Sequence, residues 1–205
     1  MPQFKTHNLW PIPVYEAEIP VKQEWKDFII NLEYERTHIG NSDISKNRNI
    51  FNKMNDLKNK INFHCENYLR KYLFVSNNAQ FYFLNSWVNI HHPKDESQIH
   101  YHRNSLISGV YYPIFPKNSG DLVFHKSTIY NNLFHHCITP EFDEHSNVTA
   151  QKYMLEVTEG TIVIFPSHLE HSVEKNESNE IRYSIAFNLF VKGKFGREEY
   201  ELEIR

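Results

Sequence analysis

The chain has 205 residues, and 22 Lys and Arg against 25 Asp and Glu leave a formal net charge of −3 with no long block of one sign. That length supports one ordinary domain with a sizeable core, and the mild acidity argues against a broad nucleic-acid footprint. With 40% hydrophobic and 23% charged residues, and no apolar run near the ~20 residues of a membrane span, the composition is that of a globular protein outside the bilayer.

The first twenty residues, MPQFKTHNLWPIPVYEAEIP, lack the cationic stretch, apolar block and small-residue cleavage site of a secretory signal, so a cytoplasmic address is expected. Cys65 and Cys137 are too few and too far apart for a disulfide framework or a cysteine zinc knuckle. Both read as free thiols, Cys65 in the core. Without secretion the Asn-x-Ser/Thr matches at Asn147 and Asn176 carry no weight.

Over residues 21–37 the sequence VKQEWKDFIINLEYERT sets Trp25, Phe28, Ile29 and Leu32 at helical spacing, which predicts a surface helix packed on a core. A polar stretch follows from Gly40 to Asn49. Met54, Leu57, Ile61, Cys65, Tyr68, Leu69 and Tyr72 then recur in steps of three and four and predict the longest helix. From residue 80 the pattern becomes short β-rich runs, FYFLNSWVNI, SLISGVYYPIF, GDLVFH, YMLEVTEGTIVIFP and IRYSIAFNLFV, punctuated by Pro, Gly, Asn and Asp. Helices first and strands after predict an α+β chain, with helical support over about 21–76 and a β core over about 80–196 of the jelly-roll kind. The stretch 127–150 has no periodicity, and a loop of that length is the candidate substrate-facing cover, with His135, His136 and Phe142 in it.

Thirteen histidines are more than such a fold needs, and several are paired: His91 with His92, His100 with His102, His135 with His136, His168 with His171. Imidazole is the commonest metal ligand, so clustering points to a metal site. His100 and His102 are two apart, and on a strand such residues project from one face. Alone, that pattern also describes two polar residues on a sheet surface. A second segment, Glu159 to Val173, runs an apolar strand into a Pro turn and then His171, a separation from His102 that a folded sandwich closes but a local motif does not. Arg182 interrupts the apolar run IRYSIAFNLF, where an arginine either pairs with a buried carboxylate or serves a ligand anion bidentately. No G-x-S-x-G element suggests a hydrolase, and Cys137 beside His136 would face the other way on a strand.

These segments together resemble the Fe(II)- and 2-oxoglutarate-dependent oxygenases of the prolyl-hydroxylase-like group, most closely a set found in bacteria and in phages of marine cyanobacteria. The resemblance runs from Leu9-Trp10-Pro11-Ile12-Pro13-Val14-Tyr15, through Trp87-Val88-Asn89, His100-Tyr101-His102 and Ser108-Gly109-Val110-Tyr111-Tyr112, to Phe165-Pro166-Ser167, His171-Ser172-Val173 and Arg182 to Asn188. It implies a double-stranded β-helix, a jelly roll, holding iron near its open end by a His-x-acid pair and a distal His. His100 and His171 match the two histidines, and the usual acid falls at residue 102, where this chain has His102. The set it most resembles also has His-x-His, so the implied iron ligands are His100, His102 and His171. Asn104, Asp121 and Glu170 are the nearest replacements for a missing oxygen ligand.

The same resemblance sets Arg182 and Ser184 against the distal carboxylate of 2-oxoglutarate, with Tyr112 donating to it and Asn89 contacting the cosubstrate. It implies decarboxylation of 2-oxoglutarate to succinate coupled to hydroxylation of an amino-acid side chain of prolyl type or a small molecule, with dioxygen as the oxidant, in the host cytoplasm where the gene is carried by a phage. The alternative is a three-histidine cupin-like protein without 2-oxoglutarate chemistry, which would use the same histidines and have no need of Arg182. A jelly roll that binds a partner and carries its histidines incidentally is the third reading.

Overall fold

The computed structural model describes residues 5–7, 11–37, 40–126, 140–196 and 198–204. Its strands are β1 (Tyr15–Glu18), β2 (Tyr34–Arg36), β3 (Asp43–Ser45), β4 (Ala79–His91), β5 (Ser97–His100), β6 (Ile107–Ile114), β7 (Leu122–His125), β8 (Lys152–Leu155), β9 (Thr161–Pro166), β10 (His171–Val173), β11 (Arg182–Phe195) and β12 (Leu202–Ile204). Two helices, α1 (Gln23–Ile30) and α2 (Asn55–Glu66), precede most of them. The larger sheet runs β1-β9-β6-β11-β4-β3-β2, with β12 on β11, and the smaller runs β5-β10-β7-β8. All of these pairings are antiparallel. The expected double-stranded β-helix with helices on its N-terminal side is therefore the fold.

Alternation along the strands explains why two sheets and a helical layer stack. In β4, β6, β9 and β11 one set of residues, Val88, Ile107, Tyr111, Ile162, Ile164, Ile185 and Phe187, packs on Trp25 and Ile29 of α1 and on Leu57, Ile61 and Cys65 of α2. The intervening set, Val110, Tyr112, Val163 and Phe165, meets Leu122 and Phe124 of β7 and forms the interior between the sheets. Every residue singled out on β4 and β11 for chemistry lies on that interior face. Gly109 is fixed by the helical side. A Cβ there would stand 2.2 Å from the Phe187 ring, so only glycine lets the tip of that ring approach β6 so closely.

The helical region differs from its sequence pattern. The chain leaves the helix at Asn31 rather than continuing to residue 37, and Tyr34 to Arg36 pair with Asp43 to Ser45 as two extra strands on the β4 edge. Leu32 still packs on the core, so its helical spacing was a true burial signal read in the wrong geometry. Arg36 locks this addition through Asp43 at 3.1 Å and Asp95 at 3.0 Å. The long helix continues past Glu66 as a π-helix over Asn67–Tyr72. The wider turn keeps Tyr68 and Leu69 buried but carries Tyr72 out to 61% exposure. Cys65 is fully buried, as expected, and burial pushes its thiol pKa up. Cys137, His135 and His136, and residues 127–139 of the proposed cover, lie outside the described residues. Among the described residues no helix is long and apolar enough to cross a membrane.

Candidate metal centre

Two adjacent strands of the smaller sheet bring the first two histidines together. β5 and β10 pair so that His100 lies directly opposite His171, and their ring centroids are 4.4 Å apart. His102 lies just past the end of β5, not on the strand, and its backbone N–H donates to Ser167 O at 3.0 Å. Its ring stands 5.5 Å from His100 and 5.1 Å from His171. One ring nitrogen from each of the three lies within 4.8 Å of the others. Asp121 and Glu170 are not in this cluster, and Asn104 sits exposed in a turn at φ +55°.

Tautomers follow from what each Nδ1 touches. His100 Nδ1 is 2.8 Å from Gln98 O and His171 Nδ1 is 2.9 Å from Leu169 O, and a carbonyl can only accept, so both rings carry the proton on Nδ1. His102 Nδ1 donates to Asn188 Oδ1 at 2.6 Å. All three Nε2 atoms therefore keep a free lone pair, the arrangement found in metal-ligating histidines, whose second nitrogen donates to an oxygen. Burial keeps the rings neutral. It pushes His171 down to about 3, helped by the neighbouring His100 and His102 rings, and lowers His100 and His102 as well. Three neutral imidazoles suit a divalent first-row transition metal.

Along the larger sheet a second group faces the same interior. β11 and β4 set Arg182 opposite His91 and Ser184 opposite Asn89. Arg182 is 1% exposed. Its Nη1 donates to Gly120 O at 2.7 Å and Ser119 O at 3.3 Å, and its Nη2 to His91 Nδ1 at 2.8 Å. A guanidinium can only donate, so His91 Nδ1 accepts there and its Nε2–H donates to Ser97 Oγ at 2.8 Å, and burial with the adjacent guanidinium pushes its pKa down to about 2. A guanidinium has five N–H groups and three are spent on neutral acceptors, which leaves Nε and one hydrogen on Nη2. Nε is buried without a partner, and no carboxylate lies within ion-pair distance of Arg182 among the described residues. Burial lowers its pKa to about 10, so it stays charged at neutral pH, with Tyr112 and Asp121 near enough to oppose the shift.

Tyr112, on the interior face of β6, is 2% exposed, and burial raises its pKa and keeps it a phenol. Among the described residues its hydroxyl has no hydrogen-bond partner, and neither has that of Ser184. Asn89 accepts from Trp87 Nε1 at 3.0 Å through Oδ1, so its Nδ2 donors are unspent. The Trp87 ring lies 5.7 Å from His102 and walls the site on that side. A buried cation without a counter-ion, beside unspent hydroxyl and amide donors, fits the carboxylate end of a dicarboxylate. The structure thus gathers His100, His102 and His171 in one cluster and Asn89, Tyr112, Arg182 and Ser184 on the interior face beside it.

Sequence reasoning missed two partners, His91 under Arg182 and Asn188 behind His102. Asn188 shares the interior face with Arg182 and Ser184 by simple alternation, which was the available signal. His91 showed only as half of a histidine pair.

A jelly roll with three converging imidazoles and a buried, unpaired arginine defines a metal-dependent enzyme that takes an anionic cosubstrate. Residues 85–188, half of the chain, match the family model described as "Putative 2OG-Fe(II) oxygenase", and the chain belongs to that family of Fe(II)- and 2-oxoglutarate-dependent oxygenases. No curated protein sequence matches it. Among solved structures it is similar to a 2OG-Fe(II) oxygenase family oxidoreductase from Burkholderia pseudomallei, at 11% identity and a TM-score of 0.58, over 81% of this chain and 76% of that one. A Pseudomonas putida prolyl-4-hydroxylase aligns at 12% identity and a TM-score of 0.51, over 86% and 92%. HygX from Streptomyces hygroscopicus, solved with nickel and 2-oxoglutarate, aligns at 8% identity and a TM-score of 0.56, over 87% and 82%.

Proposed function

We propose that this oxygenase holds Fe(II) with His100, His102 and His171 and binds 2-oxoglutarate through Arg182, Tyr112, Ser184 and Asn89. Its substrate is an amino-acid side chain of prolyl type or a small molecule, hydroxylated as 2-oxoglutarate is converted to succinate. The observation that carries the metal assignment is the set of three Nδ1 hydrogen bonds, which leaves Nε2 free on three rings clustered with a nitrogen of each within 4.8 Å of the others. Arg182, charged and buried without an acid, favours this reading over a cupin-like protein that needs no such cation.

When bound, iron and 2-oxoglutarate together supply the oxidising chemistry: dioxygen gives one atom to succinate and one to a substrate C–H bond, with loss of carbon dioxide. The chain's own residues place the reactants. Arg182 and Tyr112 anchor the far carboxylate of the cosubstrate and fix which end reaches the histidines. Ser184 and Asn89 Nδ2 supply further donors along its length, and Trp87 excludes water from the flank of His102. His100, His102 and His171 are neutral and would leave the double charge of a bound metal uncompensated, which would favour a doubly anionic cosubstrate there. The prolyl-4-hydroxylase likeness supports the side-chain substrate, and the likeness to HygX, also solved with hygromycin B, supports a small molecule.

The test is an anaerobic titration of Fe(II) and then 2-oxoglutarate into metal-free protein, followed by the visible metal-to-ligand charge-transfer band. The band is expected in the wild type and lost with iron in His102→Ala. Iron binding without any band would remove 2-oxoglutarate from the reading and bring back the cupin-like one.

A further inference from the structure

The contacts behind His102 are more specific than support for a generic ligand requires. Asn188 Oδ1 accepts from His102 Nδ1 at 2.6 Å and from Ser108 Oγ at 2.7 Å. Its Nδ2 donates to Asn85 Oδ1 at 2.9 Å. With the proton on Nδ1 the Asn188 amide must present its oxygen to the ring, and Asn85 accepts from its other end, so the two amides are oriented together across β4 and β11. Ser108 Oγ is also 3.1 Å from His102 Nδ1. Since its one proton goes to Asn188, it too faces the ring as an acceptor. Ser167 Oγ stands 2.8 Å from Ser108 Oγ and 2.8 Å from Ser105 Oγ, and these hydroxyls can all point along the chain toward Asn188. Ser108 is fully buried and Asn188 is 6% exposed, so water does not substitute for either of these two.

We infer that Asn188 is a positioning residue that, held between Asn85 and Ser108, presents an acceptor to residue 102 and so selects a histidine with its proton on Nδ1 and its Nε2 free for the metal. An aspartate at 102 has no proton to give. It would leave Asn188 Oδ1 facing a carboxylate in a buried place, and the single proton of Ser108 could serve only one of the two, which costs free energy. The network is therefore complementary to histidine and hostile to an acid at that position. This inference rests on the reading of His102 as a metal ligand.

Two readouts separate the inference from that reading. First, long-range nitrogen–proton NMR on metal-free protein reports the tautomer of His102. The wild type and Asn188→Asp, which keeps an acceptor once Asn85 turns its amide, should show the proton on Nδ1, while folded Asn188→Leu should show a mixture. Second, anaerobic calorimetry with Fe(II) alone should give a Kd about 10- to 100-fold weaker in Asn188→Leu, rescued in Asn188→Asp, as expected when the hydrogen-bond partner of a ligating histidine is lost. His102→Asp should bind Fe(II) more weakly than the wild type. Failure of the wild type to bind Fe(II) would overturn the ligand reading itself. Wild-type binding matched by Asn188→Leu with an unchanged tautomer, or by His102→Asp, would overturn only the role given to Asn188. Thermal unfolding of each variant guards against misfolding, and the Asn188→Asp rescue decides the question if Asn188→Leu does not fold.

Discussion

Replacing Arg182 with Met keeps a long unbranched stem and removes the guanidinium, so it isolates the anion contact from packing. In the structure two of five N–H groups are unspent, and each charge-assisted hydrogen bond to a carboxylate is worth about 1.5–3 kcal/mol. The pair gives about 3–6 kcal/mol, or about 10²- to 10⁴-fold in the 2-oxoglutarate Kd. Fe(II) affinity should be unchanged, because the histidines are held by other groups. The assay is an anaerobic titration of 2-oxoglutarate into iron-loaded protein, followed by the charge-transfer band, with circular dichroism as the folding check. The check matters because His91 Nδ1, Ser119 O and Gly120 O lose their donor. Arg182→Lys should recover part of the affinity, since an ammonium restores the charge but not the fork. A folded Arg182→Met protein with the wild-type 2-oxoglutarate Kd would refute the reasoning and make Arg182 a structural cation.

Tyr112→Phe removes one hydrogen bond to a carboxylate, worth about 1.5–3 kcal/mol, so the KM for 2-oxoglutarate should rise about 10- to 100-fold with kcat nearly unchanged in steady-state kinetics. Acid should weaken the fold through His91, which titrates near 6.5 when unfolded and near 2 when folded. Between those values the unfolded chain binds a proton that the native one does not. Stability therefore falls by about 1.4 kcal/mol per pH unit as the pH drops below about 6.5, and the loss levels off only near the folded pKa. His91→Gln should flatten that slope by one proton, as measured from urea midpoints across the acid range. Gly109→Ala forces a methyl against the Phe187 ring and should cost about 1–3 kcal/mol of unfolding free energy by denaturant titration.

The strand core was legible because alternation and turn residues are local. β6, β7 and β9 fall within the runs read from the sequence, and β4 and β11 cover most of theirs and extend past them. The histidines and Arg182 were legible as residues that an apolar sheet has no structural use for. What could not be read was whatever depends on register. β1 and β12 exist because β9 and β11 offer edges to pair with, and β2 and β3 because β4 does. Nothing in residues 34–36 alone says strand. Asn188 and His91 acquire meaning only once one is set against His102 and the other against Arg182, contacts 86 and 91 residues apart in sequence. The exposure of Tyr72 turned on a π-helix, a winding that a count in threes and fours does not anticipate.

The three histidines are not carried by one sheet. His100 and His171 belong to the smaller sheet, whereas the ring of His102 is tied to Asn188 on the larger one. Their spacing therefore gauges the gap between the sheets, a gap set by side chains such as Phe165, whose ring lies 4.8 Å from His171 and 5.1 Å from Phe124. Enlarging or trimming that interior alters the spacing of the three histidines without touching any of them. An engineer who repacks it to admit a new substrate trades against metal retention, and a library selected there for substrate range would be sorted first by how well its members hold iron.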